Sequence, residues 1–351
     1  MKTRNGGNSG LRLSSLGVGC WAFGGGEYWG AQDQRDVNDV VHCAVDRGIT
    51  YFDTAEVYND GRSETSLGLA LRELPRDRVI IGTKISPHHC TTAALVESCE
   101  ASLTRLGTDY IDLYMIHWPI NSLSVGHFTD DRQTIEHPPG HDEVQAGMAK
   151  LQGEGKVRHV GVSNFARSAL ERITGGNMTV AVNQLPYSLL ARAIEWDVLP
   201  YCKESGIGVI GYMTLAQGLL ARTYAGFAEI PEWRRRTRHF SHRRSPLSRH
   251  GEEGAEAETD EALVRIRSIA EKSGLTMSDV AISWALKRSG ITCALVGSRN
   301  VRQLEANIRG AEQALSDSII EELNAATRPL MEKLGPGFDY YESRDRDRTL
   351  T

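Results

Sequence analysis

Val37, Val40, Val41, Ala44 and Val45 return at every third or fourth position between polar neighbours. That spacing predicts a helix over 34–47 with one buried face, and Gly48 is placed to end it. Leu67, Ala70, Leu71 and Leu74 repeat the pattern, with Ser63 as the expected N-cap. Further helical faces run from Val96 to Leu106, Val144 to Leu151, Leu263 to Ala270, Val280 to Leu286 and Ile319 to Leu323. Between them lie short apolar runs rich in Val and Ile. They span 15–20, 50–53, 79–84, 111–117, 158–164, 180–184, 208–213 and 292–297. Continuous apolar runs of this length are what strands covered on both faces require. Eight strand–helix units in one chain favour a closed (β/α)8 barrel, the TIM-barrel α/β class, over an open doubly wound sheet. The expected layout is one barrel domain over 1–351, with its core over about 11–325 and a tail over about 326–351.

Three connections break this rhythm: "WAFGGGEYWG" after the first strand, 118–141 after the fourth and 214–258 after the seventh. All leave the C-terminal ends of strands, where barrel active sites are built. The last holds "WRRRTRHFSHRRSPLSRH" followed by "EEGAEAETDE". Adjacent blocks of opposite sign suit a solvated loop, and otherwise a lid drawn to an anionic ligand.

Composition narrows the class. Hydrophobic residues make up 40% and charged residues 24% of 351, ordinary for a folded globular chain. A net charge of −5 argues against nucleic acid or an anionic membrane as partner. Six cysteines without paired spacing, and no apolar leader or membrane-length run, point to a reduced, cytoplasmic protein.

Polar residues close three consecutive strands: Asp53 the second, Lys84 the third and His117 the fourth. Neighbouring strands lie about 4.8 Å apart, so a barrel brings these side chains to one mouth. Tyr58, five residues past Asp53, can reach back over it. Taken singly, Asp53 serves as a turn cap, Lys84 as a solvated strand end, His117 as a core histidine and Tyr58 as a half-buried aromatic. Their shared address on adjacent strand ends favours chemistry. An ammonium beside a phenol stabilises phenolate, so Lys84 is expected to lower the Tyr58 pKa from about 10 towards acid–base work. Asp53 would hold Lys84, and His117 would offer a hydrogen bond to a carbonyl oxygen.

"FDTAEVYNDGRSETSLGLAL", "VIIGTK", "LGTDYIDLYMIHWP" and "GKVRHVGVSNF" follow one another in an order that resembles the aldo-keto reductase family, over about residues 11–325. The resemblance implies an NADP(H)-dependent barrel oxidoreductase with the catalytic set Asp53, Tyr58, Lys84 and His117. It implies a nicotinamide carboxamide held by Ser163, Asn164 and Gln184, with Tyr212 stacked beneath the ring. Met213, Thr214 and Leu215 keep the length of the expected pyrophosphate segment, although "YMTLAQGLL" departs from the usual Ser-Pro-Leu. "VGSRNVRQLEAN" resembles an adenosine-phosphate site, with Ser298 and Arg299 for a 2′-phosphate and Gln303 and Asn307 along one helical face. Ala306 stands where a glutamate is common, and Glu305 is its neighbour. These residues favour NADP(H) over NAD(H).

Trp21, Tyr28, Trp29, Trp118 and Phe128 occupy loops expected to border a small carbonyl or polyol substrate, beside Tyr58 and His117. Trp21 and Asp53 are counted with the cofactor as well. The same aromatics would equally serve to cover the barrel core. His117, His127, His137 and His141 match no zinc spacing, so no metal is expected. No nucleophile-elbow pattern supports acyl transfer. A similarity to potassium-channel β subunits leaves open a redox-sensing, NADP(H)-holding protein with little turnover. The tail "GPGFDYYESRDRDRT" either folds over the mouth or is a disordered end.

Overall fold

A computed structural model describes residues 1–176, 178–221, 224 and 227–350. Eight parallel strands close into a barrel in the order β10-β3-β4-β5-β6-β7-β8-β9. They are β3 (Leu16–Gly19), β4 (Tyr51–Asp53), β5 (Ile80–Ile85), β6 (Ile111–Ile116), β7 (Val157–Ser163), β8 (Val180–Pro186), β9 (Gly208–Tyr212) and β10 (Ile291–Gly297). Each falls within two residues of its predicted run. The remaining strands, β1 (Thr3–Asn5) and β2 (Arg12–Ser14), form an antiparallel hairpin that the apolar pattern does not show. Leu11 and Leu13 from this hairpin join Tyr51, Leu113, Val182 and Ile210 in the barrel's inner cluster. Arg4 fixes it to the β10 entrance by donating to the carbonyls of Ile291 (2.8 Å) and Leu286 (2.7 Å). The hairpin thus plugs the N-terminal end and leaves only the opposite mouth for a site.

The helices bury one stripe each against the outside of the strands, as their spacing requires. Gln34–Asp46 buries the five apolar residues named above, and Gly48 follows it at φ +76°, a left-handed stop suited to glycine. The second helix is Arg62–Leu71, capped at Gly61 rather than Ser63, and Leu74 lies beyond it. Ser63 instead turns its buried hydroxyl to the carbonyl of Cys20 and to Thr54 Oγ1, both at 2.7 Å. It therefore stitches the β3 and β4 exits together. Arg167–Thr174 and Val198–Glu204 are additional helices of eight and seven residues, too short to announce a period. Asp317–Leu334 runs past the expected end of the core. No helix among the described residues is long and apolar enough to cross a membrane.

The described residues of the 214–258 connection are pinned rather than free. Its oppositely charged blocks pair with each other, Arg244 with Glu256 at 2.8 Å and Arg243 with Glu253 at 3.1 Å. Arg238 is buried and donates to the carbonyls of Leu334 (3.1 Å) and Gly337 (2.5 Å). The C-terminal segment folds over the mouth. Arg348 grips Asp339 through two bonds of 2.7 and 2.9 Å and lies 4.0 Å above the Trp118 ring.

Candidate active site

The barrel closes Asp53, Lys84 and His117 onto neighbouring strand ends, and parallel register sets their heights. Asp53 on β4 pairs with Gly82 on β5, and Lys84 on β5 with Met115 on β6. The Lys84 side chain is fully buried; its Nζ donates to Asp53 Oδ2 and to the Thr54 carbonyl, both at 2.7 Å, and to the Tyr58 hydroxyl at 3.3 Å. A charge this deep persists only when paired and hydrogen-bonded. Asp53 is itself saturated: its other oxygen accepts from Gln184 Nε2 at 2.7 Å and from the Tyr51 hydroxyl at 3.1 Å. Tyr51 was not anticipated. It stands two residues before Asp53 on one strand, so alternation alone places both inside the barrel.

Electrostatics corrects one expectation. The Tyr58 pKa lies above, not below, its ordinary value: loss of water around the hydroxyl is the largest effect, Lys84 opposes it and Asp53 adds to it. The residue as a whole is half-buried, its hydroxyl end inside and its ring edge at the mouth's surface aromatics, with Trp21 5.8 Å away. Lys84 is held above its usual range because Asp53, with the Tyr58 hydroxyl, outweighs the opposing cost of burial. His117 is driven well below its usual value by burial, then by Lys84, His127 and Arg348, so it stands as neutral imidazole. Its Nδ1 is buried with no partner among the described residues, and its ring meets that of Tyr58 edge-on at 5.6 Å. A neutral ring keeps one N–H to donate.

The expected carboxamide residues form one buried network beside this group. Ser163 Oγ donates to the Gln184 carbonyl at 3.0 Å, and Asn164 Nδ2 donates to Ser163 Oγ and the His117 carbonyl, each at 3.1 Å. Tyr212 donates to Asn164 Oδ1 at 2.7 Å. Asn164 (φ 66°), Met213 (59°), Ala216 (46°) and Gln217 (54°) adopt left-handed backbone at the β7 and β9 exits, and Asn59 and Asp60 do so after β4. All six non-glycine residues of this kind among the described residues stand at the mouth, where such strain concentrates at ligand clamps. Thr214 is buried, bonded to the carbonyls of Gly211 and Leu295, while Leu215 is half-buried behind it.

The adenosine-phosphate residues are partly engaged elsewhere. Ser298 is buried and accepts from Asn307 Nδ2 at 2.9 Å. Arg299 spends its guanidinium on the first loop, donating to Gln32 Oε1 at 2.7 Å, to the Trp29 carbonyl at 2.8 Å and to the Ala31 carbonyl. Gln303 accepts from the Arg299 backbone at 2.9 Å. A cavity of about 200 Å³ lies here, lined also by Asp33 and Asp36.

Of the aromatics, Trp21 lies 5.8 Å from the Tyr58 ring, with Tyr28 stacked on it at 4.9 Å and Trp29 edge-on at 5.2 Å. Phe128 lies 5.9 Å from His117. Trp118 is buried beneath Arg348. Trp233, Gln217 and Tyr341 also reach this surface, Trp233 meeting Tyr28 at 4.5 Å; nothing in their sequence spacing marks them. Among the described residues, no cluster of three or more His, Cys, Asp or Glu is arranged to hold a metal ion.

Fold and site together define a parallel eight-stranded barrel with a buried lysine–carboxylate pair beneath a phenol at its C-terminal mouth. The family model described as "Aldo/keto reductase family" matches residues 15–328, and the chain belongs to that family. Its relatives include the aldo-keto reductase YhdN of Bacillus subtilis (strain 168), 32% identical over 85% of each chain. Another is the NADH-specific methylglyoxal reductase of Escherichia coli (strain K12), 31% identical over 89% of this chain and 94% of that one. Among solved structures, the thermostable aldo-keto reductase Tm1743 in complex with the inhibitor epalrestat superposes with a TM-score of 0.72 at 25% identity, over 93% of this chain and all of that one. Members of this family are oxidoreductases that use nicotinamide cofactors on carbonyl substrates.

Proposed function

We propose that this protein interconverts a small carbonyl compound (an aldehyde, ketone or sugar) and its alcohol with NADP(H), and that Tyr58 gives or takes the proton. The observation that carries this is the buried Lys84 ammonium, 2.7 Å from Asp53 and 3.3 Å from the Tyr58 hydroxyl at the open mouth. The cofactor, when bound, supplies or accepts the hydride at the carbonyl carbon. Tyr58 protonates the carbonyl oxygen in reduction and recovers that proton from the alcohol in oxidation. Its raised pKa suits the reductive role, because the phenol is protonated at neutral pH. The Lys84 ammonium then stabilises the phenolate left behind, and Asp53 holds that ammonium in place. Neutral His117 donates its N–H to the same oxygen.

The mouth suits a dinucleotide in its donor set: the Ser163–Asn164–Gln184 network, the Tyr212 ring, the left-handed turn after β9 and the polar end at Ser298, Arg299, Gln303 and Asn307. We assign the 2′-phosphate to Arg299, which must first leave Gln32 and the loop carbonyls. A phosphate forms stronger, charge-assisted bonds than those neutral acceptors, so the exchange is favourable. The NADH-specific relative supports NAD(H) as the alternative. All six cysteines are free, in keeping with a reducing cytoplasm.

The test is Tyr58→Phe. Substrate-dependent NADPH oxidation across a panel of aldehydes, ketones and sugars should fall by about 10²- to 10⁴-fold, the usual weight of a positioned general acid. Dinucleotide affinity should hold within about twofold, since the phenol bears on the transition state alone. Tight binding by the unaltered protein with no turnover on any panel member would replace this proposal with a redox-sensing role.

A further inference from the structure

Arg236 has no carboxylate partner among the described residues, and its guanidinium hydrogen-bonds the Tyr28 hydroxyl. It lies in the connection after β9, half-buried, with its Nε shielded from water and unbonded. Its guanidinium lies 5.1 Å from the centre of the Tyr28 ring and 5.3 Å from that of Tyr341. Three other arginines of this region do have carboxylate partners: Arg348 has Asp339 at 2.7 Å, Arg249 has Glu342, and Arg244 has Glu256 at 2.8 Å. Among the described residues no carboxylate lies within 4.0 Å of Arg236. A cation withdrawn from water without an anion is costly unless something else supplies the charge. Two tyrosine faces offset part of that cost, each by about 0.5–1 kcal/mol at a partly exposed site.

The position is informative. Tyr28 stacks on Trp21 at 4.9 Å, and Trp21 faces the Tyr58 ring at 5.8 Å. Arg236 therefore ends a continuous aromatic wall that begins at the proposed proton donor. A planar or extended substrate lying along that wall, with its carbonyl at Tyr58, would direct its far end towards the guanidinium.

We propose that Arg236 selects carbonyl substrates bearing an anionic group, a carboxylate or phosphate, remote from the reacting carbon. This rests on the reductase function proposed above. The cofactor's own pyrophosphate offers the same chemistry to a guanidinium, and the experiment separates the two sources. Benzaldehyde and para-carboxybenzaldehyde present the same carbonyl without and with a distal anion. In the unaltered holoenzyme the carboxylated aldehyde should show a kcat/KM higher by about ten- to a hundredfold, the usual value of a charged hydrogen bond. Arg236→Gln should abolish that preference while leaving benzaldehyde reduction and NADPH affinity within about twofold. Arg236→Lys, which keeps the charge but loses the fork, should retain part of it. A direct measurement needs no turnover: terephthalate binding to the NADP⁺-loaded protein by calorimetry should weaken in Arg236→Gln by a similar factor. Equal kcat/KM for the two aldehydes, or terephthalate binding indifferent to Arg236, would overturn the proposal. So would a raised NADPH Kd in Arg236→Gln with both aldehydes losing rate together, because the cation would then serve the pyrophosphate. Failure to reduce either aldehyde, with terephthalate binding still dependent on Arg236, would count against the reductase function and leave the anion site standing.

Discussion

Tyr51 lies wholly inside the barrel, and its hydroxyl fixes one oxygen of Asp53 at 3.1 Å. Two glycines leave room for that ring. A Cβ at Gly82 would stand 2.5 Å from the Tyr51 hydroxyl, and one at Gly17 would stand 2.8 Å from Cδ1. Gly82→Ala therefore has to displace the phenol that orients the carboxylate holding Lys84. We expect about 1–3 kcal/mol of lost stability by urea unfolding, as for other overpacked cores. Turnover should fall more than KM rises. Gly153→Ala is the control, since an added Cβ there meets nothing within 4 Å. Unchanged stability and turnover in Gly82→Ala would show that Tyr51 does not hold Asp53. At this scale the sequence was legible where chemistry and strand position coincide, as at Asp53, Lys84 and His117. Tyr51 had a usable signal in its two-residue spacing from Asp53. The direction of the Tyr58 pKa had none, because charge neighbours show in a strand pattern while the depth of a hydroxyl does not.

Elements were readable in proportion to the apolar surface they bury. The barrel strands carry continuous Val- and Ile-rich runs and stand where those runs predict. The N-terminal hairpin has strands of three residues and adds only Leu13, with Leu11 just before its second strand, to the inner cluster, too little to form a pattern. Long loops were located by length alone, and their contacts belong to the closed fold. The tie between Arg299 and Trp29, Ala31 and Gln32 spans some 270 positions of chain, and no local spacing foretells it. That tie sets a prediction for the loop as a unit. If Arg299 exchanges its loop acceptors for a 2′-phosphate, Arg299→Ala should raise the NADPH Kd by about ten- to a hundredfold, with NADH binding little changed. Gln32→Ala removes one competing acceptor and should move NADPH affinity in the opposite direction. Fluorescence titration with both dinucleotides reads all three proteins. Tighter NADH than NADPH binding in the unaltered protein, indifferent to Arg299, would establish the unphosphorylated dinucleotide as the ligand.

Over the whole molecule, histidines partly or wholly withdrawn from water tie stability to pH. His117 is held well below its ordinary value, and His88, His127 and His239 each stand at about 4, in every case chiefly through burial. In the unfolded chain such groups take up a proton near pH 6.5. A depressed folded value means that the stabilising preference for neutral imidazole is fully present above about 6.5 and is lost as pH falls towards the folded values. His89 works the other way. Its hydrogen bond to Glu56, 3.1 Å long, raises its pKa, so its contribution is full below about 6.5 and fades as pH rises through the folded value. His141, His159 and His250 are lowered by burial as well, so seven histidines oppose one, and the net expectation is falling stability from pH 6.5 to 4, with more than one proton taken up per molecule unfolded. His239 is the cleanest to remove. It is buried, with Nε2 2.8 Å from the Leu190 carbonyl and Nδ1 3.1 Å from Thr237 Oγ1, contacts a neutral amide can reproduce. His239→Gln should flatten the slope of unfolding free energy against pH by up to about one proton between pH 6 and 4.5, measured by urea unfolding at each pH. A slope unaltered by this change, in a variant of native stability at pH 7.5, would mean that His239 is protonated within the fold and that its burial does not govern the acid response.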